Sequence, residues 1–140
     1  MLSINEIQDE IIEEFCCLDD WMDRYQLLVD YGKEVKDFDE ADRTDSNLID
    51  GCQSKVWFTA HMENGLVIYR GDSDALLVKG IVALLIRVLS GHTPKEIVDA
   101  DLYFIDDIQL REHLSPTRNN GILAMLKQMR LYALALSAGR

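Results

Sequence analysis

KVWFTAHMENGLVIYRGDSDALLVKGIVALLIRVLSG, Lys55 to Gly91, is the stretch whose reading decides the fold. Lys55 to Ala60 mixes β-branched and aromatic residues, and His61 and Met62 follow. After Asn64-Gly65 an apolar run resumes at Leu66-Val67-Ile68-Tyr69. Asn-Gly between two such runs is the strongest short signal for a β-hairpin, because both turn residues need positive φ. Asp72-Ser73-Asp74 then reads as the cap of a helix over Ala75 to Ser90, closed by Gly91. That helix is apolar nearly all round, which predicts the central buried helix of the domain. Gly80 inside it costs about 1 kcal/mol against alanine, a cost that close packing on another backbone would explain.

Outward toward the N-terminus, Asp37 to Asn47 is polar and acidic and reads as a surface loop. Ser3 with Glu6 forms a capping box, and Ile4, Ile7, Ile11, Phe15 and Leu18 recur at helical spacing. The first helix is expected from about Ile4 to Cys16. Asp19 and Asp20 start a second, with Trp21, Tyr25, Leu28 and Val29 on its apolar face and Gly32 as its stop. The two read as a helical hairpin. Toward the C-terminus, Thr93-Pro94-Lys95-Glu96 is a capping box with proline at the first helical position. Ser115-Pro116 starts the last helix, expected to run to about Leu136. The order is α-α-β-β-α…α: an α+β fold with a small antiparallel sheet packed by helices.

A chain of 140 residues, 48% apolar and 28% charged, has the size and composition of one globular domain spanning 1–140. Its net charge of −11 argues against nucleic acid, which needs a basic stripe, and against anionic membrane surfaces. An acidic surface keeps a protein in solution or steers it to a basic patch on a partner. Ile81 to Leu89, interrupted by Arg87, is too short to span a bilayer. MLSINEIQDE shows no basic region followed by an apolar one, so a cytoplasmic protein is expected.

The chemistry centres on Cys52 in "LIDGCQSKVWF", Leu48 to Phe58. Free cysteine is usually a buried small hydrophobe. Here it stands among loop residues, with Asp50 and Gly51 before it and Gln53 and Ser54 after it. Gly51 lets the backbone turn tightly and leaves room for an approaching group. Only the thiolate is a nucleophile. Asp45 and Asp50 oppose its formation, while Lys55 or a basic group from elsewhere favours it. Cys16 and Cys17 end the first helix about 100° apart, which suits them poorly to share a metal, and at least one is expected in the core. His61, His92 and His113 are scattered, and no His-x₃-His or Cys-x₂-Cys spacing supports a zinc site. In Ser115-Pro116-Thr117-Arg118-Asn119-Asn120-Gly121 the Asn-Gly pair is poor helix sequence, so the stretch has room for a second role: presenting Arg118 to a site.

Four segments now carry a resemblance: "LDDWMDRYQLLVDYGK" at 18–33, "IDGCQSKVW" at 49–57, "GDSDALLVKGIVALLIRVLSG" at 71–91 and "LSPTRNNGILAM" at 114–125. Together they resemble SufE and its paralogue CsdE, sulfur-acceptor proteins of iron–sulfur cluster assembly. The resemblance implies a fold shared with IscU-like scaffold proteins. It implies a partner, a cysteine desulfurase of the SufS or CsdA type, whose pyridoxal phosphate stays with that partner, so that this chain needs no cofactor and no metal of its own. It implies that Cys52 takes the persulfide sulfur and relays it to an iron–sulfur scaffold complex, stimulating the desulfurase. Gly51, Gln53, Ser54 and Arg118 are then supporting residues. Cys16 and Cys17 lie outside the family element and receive no role.

Three rival readings stand beside it. A cysteine-dependent hydrolase or peroxidase needs a histidine against Cys52. A metal or cluster scaffold of the same fold needs several ligands to converge. A plain acidic binding module would leave Cys52 inert.

Overall fold

The computed structural model describes residues 2–35 and 38–138. Helix α1 spans Ile4–Cys16, with both halves of the Ser3/Glu6 capping box formed. Ile4, Ile11 and Phe15 are buried, as the spacing predicts. Phe15 takes the last core position. Cys16 and Cys17 are both exposed, which corrects the expectation that one faces the core. Each successive helical residue turns a further 100°, and two steps past Phe15 carry both thiols out to solvent.

Helix α2, Trp21–Lys33, is capped by Asp20, whose side chain accepts from the Met22 N–H at 2.9 Å. Gly32 does not stop it. The helix runs through Gly32 and is capped at Glu34, because Gly32 serves packing instead. A Cβ on Gly32 would lie 3.0 Å from the Gly80 nitrogen, and one on Gly80 only 2.0 Å from the Leu28 carbonyl oxygen. Two backbones thus meet where α2 crosses the central helix α3, Leu76–Leu89. Helix α2 packs on α3, and α1 packs on α3 and on the short helix Phe104–Asp107 rather than chiefly on α2, so the two helices of the expected hairpin are both laid on a third.

Of the stretch read as an acidic loop, Asp37 lies outside the described residues. The rest is more ordered than expected, with 3-10 turns at Glu40–Asp42 and Asp45–Asn47 and Phe38 buried. Strands β1, Val56–Glu63, and β2, Leu66–Ser73, form the antiparallel hairpin, paired from Val56↔Ser73 to Glu63↔Leu66. Asn64 and Gly65 take φ of 52° and 80°, the positive pair such a turn demands. Short bridges, Leu48↔Trp57 and Val67↔His92, cover one edge of each strand.

Asp72 and Ser73 are strand residues, not helix caps. The α3 N-cap is Ala75, and its N–H donates to Ser73 Oγ at 3.3 Å. The Asp72 carboxylate is taken by Arg43, by Lys79 at 3.3 Å and by the Ser73 N–H at 2.8 Å. That of Asp74 accepts from the Lys55 N–H at 3.1 Å.

Helix α4, Pro94–Asp99, carries its full Thr93/Glu96 capping box. A short helix α5, Phe104–Asp107, and a 3-10 turn, Arg111–His113, occupy the part of the chain that sequence left unassigned. Helix α6 runs Pro116–Ala138, two residues past its expected end. It packs on β1 and α4. The Tyr69 hydroxyl donates to the Met129 carbonyl at 2.6 Å and that of Tyr132 to the Phe58 carbonyl at 3.2 Å, pinning α6 across the sheet.

Candidate functional site

The segment Asp50 to Ser54 lies between two anchors. On one side the Ile49 N–H donates to the Val56 carbonyl at 2.9 Å. On the other, Lys55 is held three ways: its N–H by Asp74, and its carbonyl by the Ser73 hydroxyl at 2.9 Å and the Asp74 N–H at 3.2 Å. Gly51 turns the chain between them at φ +89°, a conformation that disfavours any side chain. A Cβ there would come within 3.4 Å of Ala124 on α6.

This turn points Cys52 at the start of α6. Its Sγ lies 3.6 Å from the Gly121 carbonyl oxygen, half-buried against the apolar core. A Cβ on Gly121 would stand 3.5 Å from the sulfur, in ordinary contact, so the thiol packs directly on this first turn of α6. Burial pushes the Cys52 thiol above its ordinary pKa, so at rest it is held neutral and sheltered. A cavity of about 310 Å³ opens beside it, lined by Gln53, Ser54, Val78, Ile81, Thr117, Arg118 and Met125. Arg118 therefore shares the cavity with Cys52. Gly51 and Gln53 are exposed and Ser54 is half-buried.

No histidine lines this cavity. His61 faces Glu63 at 2.9 Å on the exposed sheet. His92 is buried against the Leu89 and Leu2 carbonyls, and His113 stacks on Trp21 at 3.7 Å. Among the described residues no three His, Cys, Asp or Glu side chains gather as a metal site. A larger groove, about 650 Å³, lies between α2, α3 and β2, but no cysteine lines it.

Sequence reasoning missed the support beneath the loop. Arg43 lies over the rings of Phe38 and Trp57, 5.5 and 5.3 Å from their centroids, and pairs with the buried Asp72. It clasps the segment before Cys52 to the far end of the hairpin. The Asp in Gly71-Asp72-Ser73 had looked like a cap because both roles use the same residue type. No local signal links it to Arg43, 29 positions earlier.

Residues 9–133 match the family described as "SufE: Fe-S metabolism associated domain". An uncharacterised SufE-like protein of Synechocystis sp. is 43% identical over 131 residues, covering 94% of this chain and 82% of the relative. One of Rhizobium etli is 40% identical over 127 residues, covering 87% of this chain and 86% of the relative. Among solved structures, that of a hypothetical protein from Thermus thermophilus superposes with a TM-score of 0.78 at 22% identity, covering 94% of this chain and 96% of the other. That likeness shows the fold, a helical α+β arrangement with one small antiparallel sheet. On the match over residues 9–133 and on relatives of this identity, the chain belongs to the SufE family, a domain of iron–sulfur metabolism.

Proposed function

We propose that this protein is a sulfur carrier. Cys52 accepts sulfur from the persulfide of a cysteine desulfurase of the SufS or CsdA type and passes it to an iron–sulfur scaffold in the cytoplasm. The observation that carries the reading is the Cys52 thiol itself: neutral and half-buried at rest, on a glycine turn between two fixed anchors, with no histidine beside it. A hydrolase or peroxidase thiol is activated by a neighbouring base, whereas a carrier needs a sheltered thiol on a segment that can reach into another protein.

The step is a thiol exchange. Cys52 loses its proton to solvent, and its thiolate attacks the outer sulfur of the donor persulfide. A new S–S bond forms at Cys52, the donor's S–S bond breaks, and the donor's own cysteine leaves as a thiolate. The donor is thereby restored, which accounts for stimulation. No outside oxidant or reductant enters, because the sulfane sulfur keeps its oxidation level as it moves. Pyridoxal phosphate belongs to the donor's earlier chemistry.

The test is mass spectrometry after incubation with a desulfurase and cysteine. The Cys52 peptide should gain about one sulfur atom, lost on reduction. Acceptance of sulfur by a folded Cys52→Ser variant at the wild-type level would sink the reading.

A further inference from the structure

Strand β2 pairs only with β1, and its other edge is partly covered. The register with β1 is unbroken from Val56↔Ser73 to Glu63↔Leu66, so alternate residues of β2 turn both main-chain groups away from β1. Val67 is one of them. Its N–H donates to the His92 carbonyl at 2.8 Å, and its carbonyl accepts from the Gly91 N–H at 2.7 Å. Tyr69 is the next, and its N–H donates to Ser90 Oγ at 3.0 Å. At Ser90, the C-cap of α3, the cover ends. The Tyr69 carbonyl and both main-chain groups of Gly71 have no partner among the described residues. Gly71 is buried, and buried main-chain groups are nearly always paired. Both residues line the groove of about 650 Å³ between β2, α2 and α3, a volume within the ordinary range of a ligand site. Helix α3 contributes Ala83 and Ile86 to its wall. The charges there are unequal. Arg87 is taken by Glu10 and Glu14, and Glu63 by His61. Arg70 lines the groove and makes no ion pair among the described residues.

We infer that this groove binds an extended peptide segment of a partner protein, which adds to β2 as a third strand beside Gly71 and sets one carboxylate beside Arg70. A bare strand edge inside a groove selects main chain, because an extended peptide offers a donor and an acceptor at strand spacing. The peptide residue opposite Gly71 donates to its carbonyl and accepts from its N–H. That residue's side chain falls on the core face of the sheet, toward Ala83 and Ile86, and its neighbours fall on the outer face with Arg70. The inward positions therefore require apolar side chains, and the outward one between them an acid. Glu34, in the α2 wall of the same groove, disfavours a run of acids. The groove shares no lining residue with the Cys52 cavity, so a partner tethered here leaves that thiol free.

The experiment measures binding of the fluorescein-labelled pentapeptide Thr-Val-Glu-Val-Thr by anisotropy, with amide exchange of Gly71 followed by NMR. The expected Kd is about 10–100 μM, modest because so short a strand loses much freedom on binding. Exchange at Gly71 should slow as the peptide saturates. Methylating both valine nitrogens removes the donors to β2 and should abolish binding. Arg70→Glu should raise Kd about tenfold, and lysine in place of the peptide's glutamate should restore it. The lysine peptide should bind wild type about tenfold more weakly, the same comparison with the fold untouched. Ala83→Arg should block the groove, while the rate of Cys52 alkylation by iodoacetamide stays at the wild-type value in both variants. If wild type binds nothing up to about 1 mM, or binds the methylated peptide as well as the parent, the proposal is overturned. It is overturned too if wild type binds the lysine and glutamate peptides alike. If sedimentation shows wild type self-associating and Ala83→Arg abolishing it, the occupant is a second copy and the partner assignment is wrong. Each of these failures leaves the acceptor reading of Cys52 standing.

Discussion

The Sγ of Cys52 rests 3.6 Å from the Gly121 carbonyl oxygen, so the thiol of one loop is sheltered against the backbone of a helix 69 positions later. Shelter has a kinetic signature. Cys16 and Cys17 are exposed and Cys52 is not, so iodoacetamide should modify Cys16 and Cys17 first and Cys52 slowly. In urea the three rates should converge. Equal rates in the native protein, read by peptide mapping over time, would contradict the sheltered geometry.

The same burial couples Cys52 to stability. Its folded pKa lies above the unfolded value, so the unfolded chain releases the proton first as pH rises. The contribution is complete below the ordinary thiol range and is lost as pH climbs through the unfolded and then the folded pKa. Urea midpoints should therefore fall between neutral pH and about pH 9.5, past the ordinary thiol pKa. In Cys52→Ala that slope should be shallower. A slope identical in both proteins would mean the thiol is as well hydrated folded as unfolded.

Asp72 works at the opposite end of the pH scale. Burial alone would raise its pKa, but the Ser73 N–H, Arg43 and Lys79 outweigh that and hold it below the usual carboxylate range. A depressed carboxylate gives stability above its unfolded pKa and loses it as pH falls through the folded one, here below about pH 4. Asp72→Asn should cost about 2–3 kcal/mol at neutral pH, since it leaves Arg43 and Lys79 without their charge partner. It should also speed Cys52 alkylation, because the segment before the loop loses its clasp. A variant of wild-type stability and wild-type alkylation rate would show that Arg43 holds nothing there.

Gly80 offers a test of the fold alone. In an isolated helix, alanine would be better by about 1 kcal/mol. Here a Cβ would fall 2.0 Å from the Leu28 carbonyl oxygen, on backbone that cannot turn aside. Gly80→Ala should therefore destabilise, by about 3 kcal/mol in urea unfolding, reversing the sign of the propensity. A neutral or stabilised variant would mean that α2 and α3 do not meet as closely as described.

What was legible in the sequence was local. The Ser3/Glu6 and Thr93/Glu96 boxes, the Asn64-Gly65 turn and the start of α6 each lie within a few residues, and each formed as expected. Gly80 was read correctly as a packing glycine, because a glycine in an otherwise apolar helix needs a reason. Gly32 was misread as a stop, since the same glycine suits a helix end and a helix crossing, and only the partner helix decides. Asp72 was misread as a cap for a like reason: a carboxylate suits an N-cap and a buried ion pair alike, and Arg43 is remote in sequence. For Cys52, loop composition indicated the turn, but not the cavity, which needs Val78, Ile81 and Met125 from two distant helices.

Arg118 lines the Cys52 cavity, yet burial alone accounts for the raised thiol pKa. On the acceptor reading, the guanidinium is expected to act only once the sulfur carries charge or has moved. A fixed cation beside a developing thiolate or persulfide anion stabilises it most when water is excluded, and a docked donor would provide that exclusion. Arg118→Ala should accordingly leave the pH midpoint of Cys52 alkylation in the isolated protein unchanged. The maximal rate of sulfur loading from a desulfurase should nonetheless fall, by about 10- to 100-fold for one lost charged donor. Arg118→Lys, which keeps the charge but not the fork of donors, should recover part of that rate. Stability should move little, since Arg118 is exposed and makes no ion pair among the described residues. Two results would count against this role: an alkylation midpoint that shifts upward in Arg118→Ala, showing that the cation already acts at rest, or a loading rate that alanine leaves intact.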